Sequence, residues 1–418
     1  MWNQRLVTIL AIVLTVGVGV STVFRSGPHQ FGDHEWGSRV HRSDFTVYRA
    51  AGASIWNGEN IYEAHNVRGW SYLYLPTVAV AMAPFAWINI FWGSLLWYLL
   101  SAAMFAHTLY LSALMARKFF AVARVESFWL IALVALITLP HAMSALARGQ
   151  ASVMVTYLTT LSVWFYLQRR EWSAGFCLAG AIVVKLFPAV FLLYFAGKRR
   201  WGMLTASAVG LIMLIGIIPS LAFGVHGNVT LLQQWVREVA LPSGRSELDR
   251  EDPRYAQLFD PRIAKNQSVQ AVTTRWLAGG TESTALPARE PLARRIAIGI
   301  NVALALCTAY ACRRRPDAAA GRTLLELCAV TLLSLFVSPV TWSHYYTLLA
   351  MPLAVTVVQA ANGNRNRAWK AGLCLFAAAN LLTPMFSPLQ VMGLLLCGTL
   401  IFWAFFVRDL VIPQTGVL

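Results

Sequence analysis

A carboxylate, a few cations and a cluster of aromatics stand out in a chain that is otherwise strongly apolar. Asp44 lies in Arg42-Ser43-Asp44-Phe45-Thr46-Val47-Tyr48, a stretch that runs on to Trp56-Asn57-Gly58. Ser and Asp accept hydrogen bonds from free first-turn amides, and Asn-Gly stops helices, so a short helix is expected to start at Ser43-Asp44 and end at Asn57-Gly58. On it Asp44, Tyr48, Ala51 and Ile55 share one face. Two readings of Asp44 stand: a helix cap, or a base that takes a proton. Lys185, in Lys185-Leu186-Phe187-Pro188, interrupts an apolar run, where an unpaired ammonium is costly and hence a functional candidate. Arg148-Gly149-Gln150, Asn266-Gln267 and the run Ser338 to Tyr346, with Trp342, His344 and Tyr345, supply the other unexplained polar and aromatic groups. A base, cations for an anionic leaving group and rings to stack on a sugar or lipid form a coherent set. Each member also has a structural role open to it. Arg148 can snorkel to the interface, Gln150 can satisfy a helix end, and His344 can belong to an interfacial aromatic belt.

These residues need a scaffold, and composition defines it. The chain has 418 residues, of which 57% are hydrophobic and 12% charged, with many apolar runs of membrane-spanning length. It reads as an all-α, polytopic membrane protein. The first run, Leu6 to Phe24, lacks a small-residue cleavage site and is expected to stay as a signal anchor with a cytoplasmic N-terminus. The net charge of +16 sits in short loops, at Arg117-Lys118, Arg169-Arg170, Lys198-Arg199-Arg200 and Arg313-Arg314-Arg315, which marks them as cytoplasmic. Residues 25–70 instead balance Arg25, Arg39, Arg42, Arg49 and Arg68 against Asp33, Glu35, Asp44, Glu59 and Glu63. Residues 225–290 are balanced in the same way. The basic excess is therefore topological, and nucleic acid is excluded as a partner. The six cysteines lie in or beside apolar segments and form no disulfide or metal-ligand pattern.

Placing every basic cluster on one side makes two segments unusual. Residues 72–115 must cross an odd number of times, so Tyr72 to Trp87, broken by Pro76 and Pro84, is expected to be re-entrant or interfacial on the outer side, with an ordinary hairpin as the competing reading. Residues 173–197 must return to the side they left, as two short helices broken at Pro188 with Lys185 at the tip. Roughly twelve crossings result, within one membrane domain over residues 1–418. Two long outer loops emerge, at 25–75, carrying the Asp44 helix, and at 225–290, expected to fold down over the membrane surface. All the candidate polar groups then fall on the outer side.

Taken in order, Asp44-Phe45-Thr46-Val47-Tyr48 with Gly58 and Tyr62, Tyr74-Leu75-Pro76 with Pro84, Gly149-Gln150, Lys185-Leu186-Phe187-Pro188, Asn266-Gln267-Ser268 and Ser338-Pro339-Val340-Thr341-Trp342-Ser343-His344-Tyr345 form a motif series. That series resembles glycosyltransferase family 87, from about residue 40 to 350. Leu75-Pro76 departs from the pair of prolines found in many relatives. The resemblance implies a GT-C fold and an inverting transfer of a hexose, by default mannose, from a polyprenyl-phosphate sugar. The acceptor would be an envelope glycolipid or polysaccharide at the outer face of a bacterial cytoplasmic membrane. It also implies Asp44 as general base and no required metal. Lys185, His344 and Arg148 would face the leaving phosphate, Trp342 and Tyr345 the sugar or lipid, and Tyr48, Gln150, Asn266 and Gln267 complete the substrate-contacting set. Asp33 and Glu35, on either side of His34, are a candidate pair for a divalent ion. A transporter or flippase for lipid-linked sugars is the competing class. Two long outer loops, one bearing the carboxylate, and no apparent internal repeat favour the enzyme.

Overall fold

In the computed structural model the described residues are 44–66, 69–120, 126–241, 260, 262–282, 286–313, 320–361 and 367–412. Leu6 to Phe24, Asp33, Glu35, Ser43 and the polar run Ser243 to Asp252 lie outside them. Regular structure among the described residues is helical, with two isolated β-bridges, His65 to Ser71 and Asn266 to Trp342. Helix α1 (Phe45–Asn57) stops at Gly58, whose φ of 70° is left-handed, as the Asn-Gly signal predicts. Helix α2 (Pro76–Met82) and the 3-10 turn Ala83–Ala86 follow. These eleven residues reach about 16 Å at the helical rise, half the hydrocarbon thickness, in keeping with the re-entrant reading.

The next helices are α3 (Ile90–Phe120), α4 (Ser127–Arg148), α5 (Ser152–Leu167), α6 (Glu171–Val184) and α7 (Val190–Gly197). The break between α6 and α7 falls at Lys185, which is extended (φ −149°, ψ 133°), and at the 3-10 turn Phe187–Ala189. Helices α8 (Trp201–Leu211) and α9 (Ile218–Trp235) join through a π-helical turn, Ile212–Ile217. Residues 225–241, the first part of the second long loop read from sequence, are helical. Pro219 lacks the amide that would bond Ile215, and the chain turns back at Gly224 (φ 70°, ψ 162°). Asn228 then donates to the carbonyls of Ile215 and Gly216, at 3.0 and 3.2 Å, satisfying the freed acceptors. The returning segment packs on the first outer loop, where Asn60 bonds Gln234 and the Trp235 indole bonds the Leu73 carbonyl.

Helices α10 (Val269–Ala278), α11 (Leu286–Ala311), α12 (Ala320–Val337), α13 (Ala350–Ala361), α14 (Arg367–Leu382), α15 (Ser387–Val391) and α16 (Leu394–Val411) complete the fold. Six helical stretches among the described residues are long and apolar enough to cross a membrane, against the roughly twelve crossings expected. α5 to α7 are shorter apolar helices, and the break between α6 and α7 falls at Lys185 to Pro188, where the sequence reading put it. The main core gathers α3 to α7, α12, α13 and α16, and a smaller cluster joins α1 and α2 to Trp97.

The two ends of the bundle differ in chemistry. Lys118 bonds Gln168, Arg200 sits over the Tyr166 ring, and Arg322 bonds the carbonyls of Ala311 and Leu410, which places the basic clusters at one end. There Glu326, fully buried, pairs with Lys198 at 2.8 Å and Arg322 at 3.3 Å and accepts from the Tyr194 hydroxyl at 2.9 Å. Along α3, Lys118 lies about 31 Å from Trp97 at the helical rise. That separation is comparable to the ~30 Å hydrocarbon core of a bilayer. Replacing Glu326 by Ala removes the carboxylate that two buried cations share, at a cost of up to about 3–5 kcal/mol. A lowered thermal unfolding midpoint of the purified protein in detergent is the expected result.

Candidate functional site

The site is assembled at the end of α4. Gly149, with φ 66°, closes that helix in the left-handed conformation, and Gln150 N–H bonds the Ala145 carbonyl at 2.9 Å. The turn receives α1 edge-on. Asp44 N–H donates to the Arg148 carbonyl, the Trp97 indole donates to the Gly149 carbonyl at 2.8 Å, and Phe45 packs on Trp97 and Phe85. A Cβ on residue 149 would stand 2.8 Å from the Phe45 Cβ, so the approach of α1 requires glycine. Asp44 holds the cap position of α1 but its side chain makes no capping bond, which removes the cap reading. It is 5% exposed. Tyr48, one turn on, is fully buried behind it, with its hydroxyl 2.8 Å from that of Tyr74. Burial first, then the neighbouring phenol and the Asp44 charge, hold Tyr48 well above the usual phenol range. Burial leads the same shift in Tyr74, so the pair is neutral.

Beyond the turn, the chain immediately enters α5 and supplies the seat for Lys185. Its Nζ donates to Ser152 Oγ at 3.0 Å, approaches Gln150 Oε1 at 3.5 Å and lies 3.8 Å above the Tyr345 ring. Phe187 stacks on the same ring, with centroids 5.3 Å apart. The Asp44 carboxylate is close enough for its charge to act on Lys185, Tyr345, Tyr74 and Tyr48. Asp44, Gln150, Lys185 and Tyr345 therefore form one chamber, with Tyr48 as its back wall.

The loop that carries Tyr345 is clamped from beneath. Asn266 Oδ1 accepts from the amides of Ser268 and Thr341, and Gln267 N–H donates to the Thr341 carbonyl at 2.8 Å. The Gln267 amide also donates to the carbonyls of Ala264 and Gln390, both at 2.7 Å. Asn266 and Gln267 are both 2% exposed; Asn266 holds the loop through its side chain and Gln267 through its backbone, while Gln267 also lines the neighbouring cavity. Arg275 reinforces the clamp by donating to the Asn266 carbonyl at 3.0 Å. In the loop, Trp342 and His344 lie with rings parallel, centroids 6.4 Å apart, and His344 tilts onto Tyr345. Arg148 and Trp342 face a neighbouring cavity of about 290 Å³ together with Gln267, Lys265 and Ser343. The charges of both Lys185 and Arg148 reach His344. No cluster of three or more His, Cys, Asp or Glu able to hold a metal occurs among the described residues.

Sequence reasoning missed Ser152, Arg275 and Lys265. Ser152 had a signal, since it continues the polar turn Gly149-Gln150; a single Arg in α10 and a lysine in a balanced loop had none.

The sequence model of glycosyltransferase family 87 matches residues 72–339. That stretch contains Arg148, Gln150, Lys185, Asn266 and Gln267; it begins after Asp44 and ends before Trp342. The chain is 28% identical over 382 residues to the polyprenol-phosphate-mannose-dependent alpha-(1-2)-phosphatidylinositol mannoside mannosyltransferase of Mycolicibacterium smegmatis, covering 84% of this chain and 77% of that protein. The protein of the same description from Mycobacterium tuberculosis is 25% identical over 375 residues, covering 85% and 78%. Among solved structures, ArnT from Cupriavidus metallidurans bound to undecaprenyl phosphate aligns over 96% of this chain and 77% of its own, with a TM-score of 0.39 and 15% identity. Its apo form gives 0.38 and 14%.

The docking of α1 can be isolated with two glycines. Gly58→Ala incurs only the left-handed conformational cost, about 1–2 kcal/mol, because nothing lies within 4 Å of its added Cβ. Gly149→Ala adds overpacking against Phe45, a further ~1–3 kcal/mol. Thermal unfolding of the two variants is expected to show the larger loss at 149.

Proposed function

We propose, because the chain belongs to glycosyltransferase family 87, that this multi-pass membrane enzyme transfers mannose from a polyprenyl-phosphate-mannose donor to an envelope glycolipid or polysaccharide. The observation that carries the mechanism is the shared chamber of Asp44 and Lys185, both held by residues 148–152. Asp44 removes the proton from an acceptor hydroxyl. The oxygen attacks the anomeric carbon from the face opposite the phosphate, the bond from that carbon to the phosphate oxygen breaks, and the configuration inverts. Polyprenyl phosphate leaves with the bonding electrons.

Lys185 meets the charge that develops on the leaving phosphate. Among the described residues it forms no ion pair; it rests on a hydroxyl, an amide oxygen and an aromatic face, so its charge remains available to an anion. His344 adds a polar contact, since its Nδ1 makes no hydrogen bond among the described residues. Tyr345, already beneath Lys185, offers a surface for the sugar or the lipid. The protein's own cations serve a monophosphate leaving group, so the reaction as drawn is expected to keep its rate in EDTA. Under the positive-inside rule, the basic clusters at the far end of the bundle support a chamber at the outer face of the bacterial cytoplasmic membrane. There a lipid-carried sugar, rather than a nucleotide sugar, is the available donor.

Transfer of radiolabelled mannose by purified protein tests this reading. Asp44→Asn, which keeps shape but not basicity, is expected to lower kcat by about 10²–10⁴ with donor binding retained. Lys185→Gln is expected to lower it by about 10²–10³. Transfer undiminished in Asp44→Asn would remove Asp44 as the base. A protein that moves the lipid-linked sugar across vesicles without transferring it would be a flippase.

A further inference from the structure

Four tyrosines of the first outer loop gather behind Asp44, and one of them is built differently from the rest. Tyr74 lies in the short non-helical stretch just before α2. Three consecutive carbonyls of that stretch each accept from an aromatic side chain. Leu73 accepts from the Trp235 indole at 3.0 Å, Tyr74 from the Tyr62 hydroxyl at 3.2 Å and Leu75 from the Tyr72 hydroxyl at 2.9 Å. Tyr62, Tyr72 and Trp235 therefore spend their hydrogens on fixing the backbone that carries Tyr74. The Tyr74 side chain is left for another task.

Its hydroxyl is 2.8 Å from that of Tyr48, with the rings edge to face at 5.0 Å, and only one of the two hydroxyl hydrogens can lie between the oxygens. Tyr48 is fully buried, and a buried phenol needs an acceptor for its hydrogen. Tyr74 Oη is the side-chain acceptor within its reach, so Tyr48 donates and the second hydrogen stays on Tyr74. The electrostatics agree. Burial raises both phenols, and on top of that the shared bond raises Tyr48 and lowers Tyr74, as it does when Tyr48 keeps the proton. The Ala151 backbone lowers Tyr48, the effect of an N–H donor and not of a carbonyl. Unlike Tyr48, Tyr74 is partly exposed. Asp44 and Tyr345 both act on it, which sets its hydroxyl between the carboxylate and the ring beneath Lys185. In the transfer drawn above, that interval is where the hexose lies, with its anomeric carbon toward Asp44 and its phosphate toward Lys185.

We propose that Tyr74 is a further substrate contact, whose hydroxyl donates to a hydroxyl oxygen of the transferred hexose and so reads the sugar and not its lipid carrier. The inference rests on the transfer reading and adds to it a residue that recognises the sugar. Because Tyr74 Oη accepts from Tyr48, its own hydrogen is confined to the remaining arc, and the clamped backbone fixes where that arc points. A neutral donor suits a sugar hydroxyl and does not compete with Lys185 for the phosphate. A sugar lacking that hydroxyl leaves the donor unpaired in a water-poor chamber, which is how a hydrogen-bonding site rejects an analogue.

Tyr74→Phe removes the hydroxyl and keeps the ring. The test uses the full chain in phosphatidylcholine nanodiscs and compares the Kd of two probes, polyprenyl-phosphate-mannose and polyprenyl phosphate without a sugar. Tyr74→Phe is expected to weaken the mannosyl lipid about tenfold and the bare lipid less than twofold, the retained binding showing that the variant is folded. Equal weakening of both lipids, or no change in either, would overturn the proposal. A second measurement is transfer from donors whose mannose lacks one hydroxyl at a time. At one position the wild type is expected to lose about tenfold in kcat/KM, and Tyr74→Phe to lose nothing further from the same deletion. Losses that multiply at every position would show that Tyr74 touches no sugar hydroxyl. Should the wild type show the Tyr74-dependent preference for the mannosyl lipid and yet transfer no sugar, the contact stands and the transfer reading falls.

Discussion

The left-handed turn at Gly149 is the constraint on which the rest of the site depends. A helix that ends there exposes a carbonyl, at Arg148, to which the Asp44 amide can bond, and leaves no side chain to keep Phe45 away. The residues just after it, Gln150 and Ser152, point at Lys185. A single five-residue stretch thus sets both the carboxylate and the ammonium of the chamber. Their relative position is decided by backbone geometry and close packing, not by an ion pair of their own.

Such an arrangement suits a charge-handling site inside an apolar bundle. A buried ammonium needs compensation, and an ion pair with a carboxylate would supply it by neutralising the charge. Lys185 is instead supported by a hydroxyl, an amide oxygen and the face of Tyr345, partners that carry no neutralising charge. At the opposite end of the bundle the solution differs. Glu326 takes up Lys198, Arg322 and Tyr194 directly, and the charges serve to tie α7 to α12. The contrast separates charge used to hold helices from charge kept for a ligand.

The second organising device is the loop from Ser338 to Tyr346. It carries rings that face two compartments, and it has little regular structure before its 3-10 turn at Ser343–Leu349. Rigidity is imported from the segment before α10, through the Asn266 and Gln267 side chains and through Arg275. Asn266 therefore matters to the site by positioning others, and Gln267 both holds the loop and faces the cavity.

Much of this was legible in the chain. Apolar runs specify an all-α membrane protein, because the cost of burying charge and open backbone in hydrocarbon is local and can be read residue by residue. Asp44, Lys185, Gln150 and Tyr345 were legible because polar groups next to apolar spans lack a structural excuse. The end of α1 at Gly58 and the break at Lys185 to Pro188 followed from backbone chemistry that depends on neighbouring residues alone. Other features were decided by tertiary structure. The fold-back at Gly224 with its Asn228 bonds, the loop-holding role of Asn266 and the shared cavity of Arg148 and Lys265 all depend on partners distant in sequence. A side chain's type states what it can bond to; which partner it meets is settled by packing, where the choice between substrate and a neighbouring carbonyl rests on which of them lies within about 3 Å.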